Sequence, residues 1–125
     1  MEDALNESAK TWAFYEEMPE VQHNAIVGLG LPVATSRATA AVFLRSHTLD
    51  HRRIRIRYEF SRRLFADAGI EMKESTAQGE SALAHMLSLT LLGDYVAAYL
   101  ALLYGVDPTP TGVIDELKAW LVETA

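Results

Sequence analysis

The chain has no cysteine among its 125 residues. That excludes a disulfide framework and any thiolate nucleophile or ligand, and it suits a reducing, cytoplasmic setting. Positive charge is scarce too. Eleven lysines and arginines face 17 acidic residues, for a formal net charge of −6. A chain of that sign is poorly suited to nucleic acid, whose phosphates are held by lysine and arginine. The four histidines show no metal-ligand spacing with a carboxylate, so no metal is expected. There is no phosphate-cradling glycine loop, since GLGLP at Gly28 follows a helical segment and not a strand. The opening MEDALNES is acidic and lacks an apolar stretch, unlike a secretory signal. The longest apolar region, Leu87 to Tyr104, is broken by Gly93 and Asp94. It reads as a buried helix and not a membrane span.

What is present fits one globular domain over residues 1–125, with half the residues hydrophobic and 22% charged. Glu2 to Lys10 reads as a short helix, acidic early and basic late, as the helix dipole favours. Thr11 to Tyr15 is rich in β-prone side chains and predicts a short strand. Pro19 can open a second helix carrying Val21, Ile26 and Val27 inward, and Leu29 to Thr35 reads as a loop. Thr39 to Leu44 is an apolar run of strand length, of the kind buried in parallel sheets. Asp50 to Ala68 predicts a helix with Asp50 as N-cap and Gly69 as C-cap, and Ile70 to Ser75 a second strand. Strand, helix, strand makes a βαβ unit with parallel strands. A long helix follows from about Glu80 to Tyr104, with Gly93 as a candidate kink. Thr109 and Pro110 then open a last helix reaching about Glu123. The fold class is therefore α/β, a partial parallel sheet of two to three strands flanked by helices.

Several residues invite a chemical reading. Glu7 and His23, a carboxylate and an imidazole, flank the aromatic run Trp12 to Tyr15. Such a pair can move protons, though the spacing alone is a weak signal. The arginines at 52, 53, 55, 57, 62 and 63 could grip phosphate, but a charge run on a crossover helix is more simply its solvated face. His85 sits among Leu83, Met86 and Leu87, as a satisfied core or interface histidine would. Lys118 borders the apolar stripe of Val113, Ile114, Leu117 and Leu121. It can snorkel to water or point into a cleft.

LNESAK, then AFYEEMPEVQHNAIVG, and later GESALAHMLSLTLLGDYVAAYLALLYGVDPTPTGVIDELK resemble the C-terminal half of the bifunctional phosphoglucose/phosphomannose isomerases. The Leu92 to Pro110 stretch is the most specific part, and the resemblance spans about Leu5 to Leu121. It implies the second of two sugar-isomerase (SIS) domains, each a parallel sheet flanked by helices. The first domain, which holds the substrate phosphate in that family, is missing from this chain. The resemblance further implies aldose–ketose isomerisation of a sugar phosphate, no cofactor, no nucleic acid or membrane partner, and a homodimer. By the same resemblance, Glu7 is the proton-shuttling base and His23 the ring-opening histidine. Lys118 lies near the sugar ring oxygen, Thr111 is a nearby polar contact, and Glu7, His23 and Lys118 should share one cleft. One departure is Gln22-His23-Asn24-Ala25, where the family usually has Asn-His-Asn-Glu. The other reading of such a chain is a non-catalytic SIS module that binds a sugar phosphate and regulates a partner. A helical interaction domain, with Glu7 and His23 as plain surface residues, is a third.

Overall fold

The computed structural model describes residues 1–124. The elements run α1 (Glu2–Glu7), two short 3-10 turns (Glu20–Gln22 and Ala25–Gly28), α2 (Val33–Arg37), β1 (Ala40–Arg45), α3 (Arg52–Asp67), β2 (Glu71–Thr76), α4 (Ala82–Tyr104) and α5 (Gly112–Thr124). This is the expected α/β arrangement: a two-stranded sheet, β1 parallel to β2, flanked by helices. The chain divides into two compact units, Tyr15–Leu89 on one hand and Met1–Phe14 with Thr90–Ala125 on the other.

The Tyr15–Leu89 unit is built on the βαβ motif. Ala40 pairs with Glu71 and Arg45 with Thr76 along the ladder. Phe43 packs against Tyr58 and Phe65 of α3, with ring centroids 5.5 Å apart in each pair, the geometry aromatic pairs favour. Helix α3 ends as Gly69 predicts. Gly69 has φ +71°, its amide donates to Ala66 O, and the Ile70 amide donates to Phe65 O. That is a Schellman cap, which calls for a residue without Cβ. The N-terminal expectation is corrected. His51, not Asp50, caps α3 by accepting from the Arg53 amide at 3.2 Å, because Asp50 is engaged by Arg45.

Other local expectations shift as well. Helix α1 stops at Glu7, short of Lys10. Thr11 to Tyr15 is not a strand. The Asn6 side chain takes Ala13 in both directions, accepting from its amide at 3.1 Å and donating to its carbonyl at 3.0 Å. Those backbone groups therefore need no ladder partner. The segment after Pro19 forms two 3-10 turns in place of a helix; Val21 is buried but Val27 is 83% exposed. The end of the expected loop, from Val33 to Thr35, belongs to the helix Val33–Arg37. The last helix begins at Gly112 and not at Pro110. Thr111 O accepts from Ile114 and Asp115, while the Thr109 amide is taken by the Asp107 carboxylate at 2.8 Å.

In the second unit Ala9, Ala97 and Ala101 are fully buried. Helix α4 runs through Gly93 without interruption. A Cβ there would lie 3.0 Å from Met1 Cα, so the glycine lets the start of α1 lie close. Helix α4 is long and apolar enough by length and composition to cross a membrane, yet only 17% of its apolar stretch is buried. The expectation of a buried helix is thus corrected: Tyr95, Tyr99 and Leu102 are all more than half exposed. A unit this small offers too few layers to cover an apolar helix all round.

Candidate active site

Glu7 is the last residue of α1. Its side chain is exposed, and its carboxylate makes no hydrogen bond or ion pair among the described residues. Such a group can take and return a proton without first breaking a salt bridge. The residues around it hold the backbone. Asn6 binds Ala13 as described, the Thr11 amide donates to Leu5 O at 3.0 Å, and Ala9 is sealed inside. Lys10 follows in the left-handed region, with φ +54°.

Thr111 and Lys118 belong to the same unit as Glu7. Thr111 is half-buried, directly after the Asp107–Pro110 turn. The Thr109 amide and hydroxyl hold the Asp107 carboxyl below its ordinary range, with a smaller contribution from the charge of Lys10. Lys118 extends to solvent, 70% exposed, 3.6 Å from Asp115 one turn earlier. Of its two outcomes in sequence, the solvent-reaching one is seen. An exposed pair of this kind is worth under about 1 kcal/mol and leaves the ammonium available.

His23 belongs to the other unit. Its neighbour Gln22 is fixed on three sides, donating to Arg57 O at 3.0 Å and to Ser61 Oγ at 2.8 Å and accepting from Arg57 Nη1 at 2.6 Å. On the far side Asn24 caps the next turn through the Ala25 amide. His23 is thus presented from an anchored stretch, with its ring exposed and unbonded among the described residues. Ala25 supplies no carboxylate to orient it.

The remaining histidines are structural. His85 is 6% exposed; its Nδ1 lies 2.7 Å from Ser46 Oγ and its Nε2 2.9 Å from Gly79 O. The carbonyl can only accept, so Nε2 carries the proton and Ser46 donates to Nδ1. This is the satisfied histidine expected. His47 pairs with Glu74 at 3.1 Å. No cluster suited to a metal ion occurs among the described residues. Of the arginine run, 52, 53, 55, 62 and 63 are exposed, and Arg57 holds Gln22.

Sequence reasoning passed over Arg45. It is 2% exposed, bonded to Asp50 at 3.1 Å and Glu74 at 3.3 Å, and stacked 3.9 Å over the Tyr58 ring. Its partners lie 5 and 29 residues away, and no local pattern links them. Asn6 and Lys10 stand in the LNESAK motif, but nothing in it signals their bonds to Ala13 and Pro110.

Residues 1–121 match the family model described as "Bacterial phospho-glucose isomerase C-terminal SIS domain". The chain belongs to this family. It is 31% identical over 121 residues to a bifunctional phosphoglucose/phosphomannose isomerase of Aquifex aeolicus, covering 97% of this chain and 37% of that protein. To the protein of the same name from Caldicellulosiruptor bescii it is 39% identical over 117 residues, covering 94% and 34%. The Thermoplasma acidophilum relative is 33% identical over 114 residues, covering 91% and 34%. The chain thus spans about a third of the length of these curated relatives. No solved structure matches it.

Proposed function

We propose that this SIS domain is the C-terminal catalytic half of an aldose–ketose isomerase. It would interconvert glucose 6-phosphate or mannose 6-phosphate with fructose 6-phosphate through a cis-enediol. The observation that carries the reading is the family match over residues 1–121, within which Glu7, His23 and Lys118 all stand.

The reaction needs two kinds of proton transfer. To open the ring, a proton reaches the ring oxygen and the anomeric hydroxyl loses one. His23 and Lys118 are the groups for this exchange, and Thr111 is a polar contact for the sugar. In the open aldose, Glu7 removes the C2 proton and the carbonyl oxygen gains one, giving the enediol. Glu7 returns its proton to C1 and the C2 hydroxyl gives up its own, leaving the ketose. Nothing is oxidised or reduced overall. Each positioned acid or base of this kind contributes roughly a hundred- to ten-thousand-fold.

The chain by itself should be nearly inert toward fructose 6-phosphate, because the first SIS domain holds the phosphate that positions the reacting carbons. Positioning is worth up to about 7–11 kcal/mol in well-oriented systems. Joined to that domain, the protein should exchange the C2 proton with solvent, and Glu7→Gln should abolish exchange while leaving sugar-phosphate binding in place. Deuterium wash-in at C2 is the test; exchange at the parent rate in Glu7→Gln would remove Glu7 as the base. The open apolar faces of α4 and α5 support self-association as well. A chain that stays monomeric at every concentration in analytical ultracentrifugation counts against it.

A further inference from the structure

Lys10 takes no part in the proton transfers above. Its ammonium nevertheless donates to three backbone carbonyls: that of Glu7, that of Pro110 at 2.6 Å and that of Pro108 at 3.5 Å. An ammonium has three N–H donors, so all three are taken and none is left for a substrate. Its backbone is held at φ +54°, a conformation that a residue with a Cβ adopts at a cost. Buried Ala9 on one side and the Thr11–Leu5 hydrogen bond on the other fix it there. The carbonyls it joins come from segments 98 and 100 residues away in sequence, together with its own helix end. Thr111 follows Pro110 directly, and its carbonyl opens the helix that carries Lys118.

We propose that Lys10 is a positioning residue: its ammonium ties the end of α1, where Glu7 sits, to the turn that delivers Thr111 and the start of α5. The Asp107 carboxylate shapes the turn from within by taking the Thr109 amide. Lys10 sets where that turn lies relative to Glu7. The role rests on the assignment of Glu7, Thr111 and Lys118 made above.

The test uses the chain joined to a first SIS domain, with Lys10→Met, which keeps the stem and removes the donors, and Lys10→Arg, which keeps a cation able to donate to carbonyls. Lys10→Met should lower kcat for fructose 6-phosphate on the order of a hundredfold, the effect of a misplacement near 1 Å, with KM little changed. Lys10→Arg should recover most of that loss. Hydrogen–deuterium exchange read on the same variants should show faster exchange of the amides from Val106 to Ile114 in Lys10→Met alone. Parent-like kcat in Lys10→Met, equal losses in the two variants, or unchanged exchange in the turn would each overturn the proposal. Glu7→Gln is run alongside. An inactive Glu7→Gln beside a parent-like Lys10→Met overturns only the positioning role, whereas a parent-like Glu7→Gln overturns the reading on which it rests.

Discussion

In the Tyr15–Leu89 unit, the buried guanidinium of Arg45 is met by two carboxylates and an aromatic ring, all from within that unit. In the other unit, Trp120 of α5 is 59% exposed, and Val113, Leu117 and Leu121 beside it are each about half exposed or more. The first unit settles this buried charge within itself, although Ile56, Phe60, Leu83 and Met86 there are also about half exposed or more. The second leaves apolar helix faces open, and it also carries Glu7, Thr111 and Lys118. The contrast teaches that α5 owes little of its stability to the chain around it. Its apolar stripe is the kind that buries against another layer.

Removing Arg45 should have the largest effect on the Tyr15–Leu89 unit. Arg45→Met leaves Asp50 and Glu74 partly buried without their cation, and loss of one member of such a group costs about 3 kcal/mol. Denaturant unfolding of the chain should show that loss. A cost under about 0.5 kcal/mol, the range of ordinary surface substitutions, would erase the contrast between the units.

Gly93→Ala comes next. In an open helix this change would stabilise by roughly 1 kcal/mol. Here the new methyl meets the Met1 backbone at 3.0 Å, so the gain should vanish or reverse. Thermal unfolding that shows the full gain would mean that α1 does not press on α4.

Trp120→Ala should move the stability of this chain by less than about 0.5 kcal/mol, since the ring is largely in water. Joined to a first SIS domain, as proposed above, the same substitution should cost about 2 kcal/mol or more if the α5 face is a central contact. Equal small effects in both settings would leave α5 without a partner.

The smallest effect concerns Asp107. Its carboxyl is held below the usual range by Thr109, so the contact is worth most above the ordinary value of 3.8. It is lost as pH falls through the lowered folded value. NMR titration of Asp107 should give a midpoint below 3.8, and the protection of the Thr109 amide, taken relative to its intrinsic exchange rate, should fall only at acid pH. A midpoint at 3.8 would show that the Thr109 contacts do not persist in solution.

Much of this molecule follows from local sequence. The apolar run before Leu44, Gly69 after a helical stretch and Gly105 after an apolar one mark β1, α3 and α4 to within a residue or two. Strand periodicity and left-handed caps act over a few residues, so neighbours in the chain carry them. The NESAK and QHN motifs pointed to Glu7 and His23 by resemblance, not by any physical pattern of spacing. What the sequence did not disclose was where polar side chains find their partners. Asn6 replaces a strand partner for Ala13, Asp50 leaves the helix cap for Arg45, and Lys10 reaches carbonyls about a hundred residues on. A hydrogen bond depends on distance in space, and the chain separation of these partners has no periodic trace. The exposure of α4 and α5 was hidden for a related reason. An apolar stripe states that a face should be covered, and only the folded arrangement of the other layers decides whether this chain covers it.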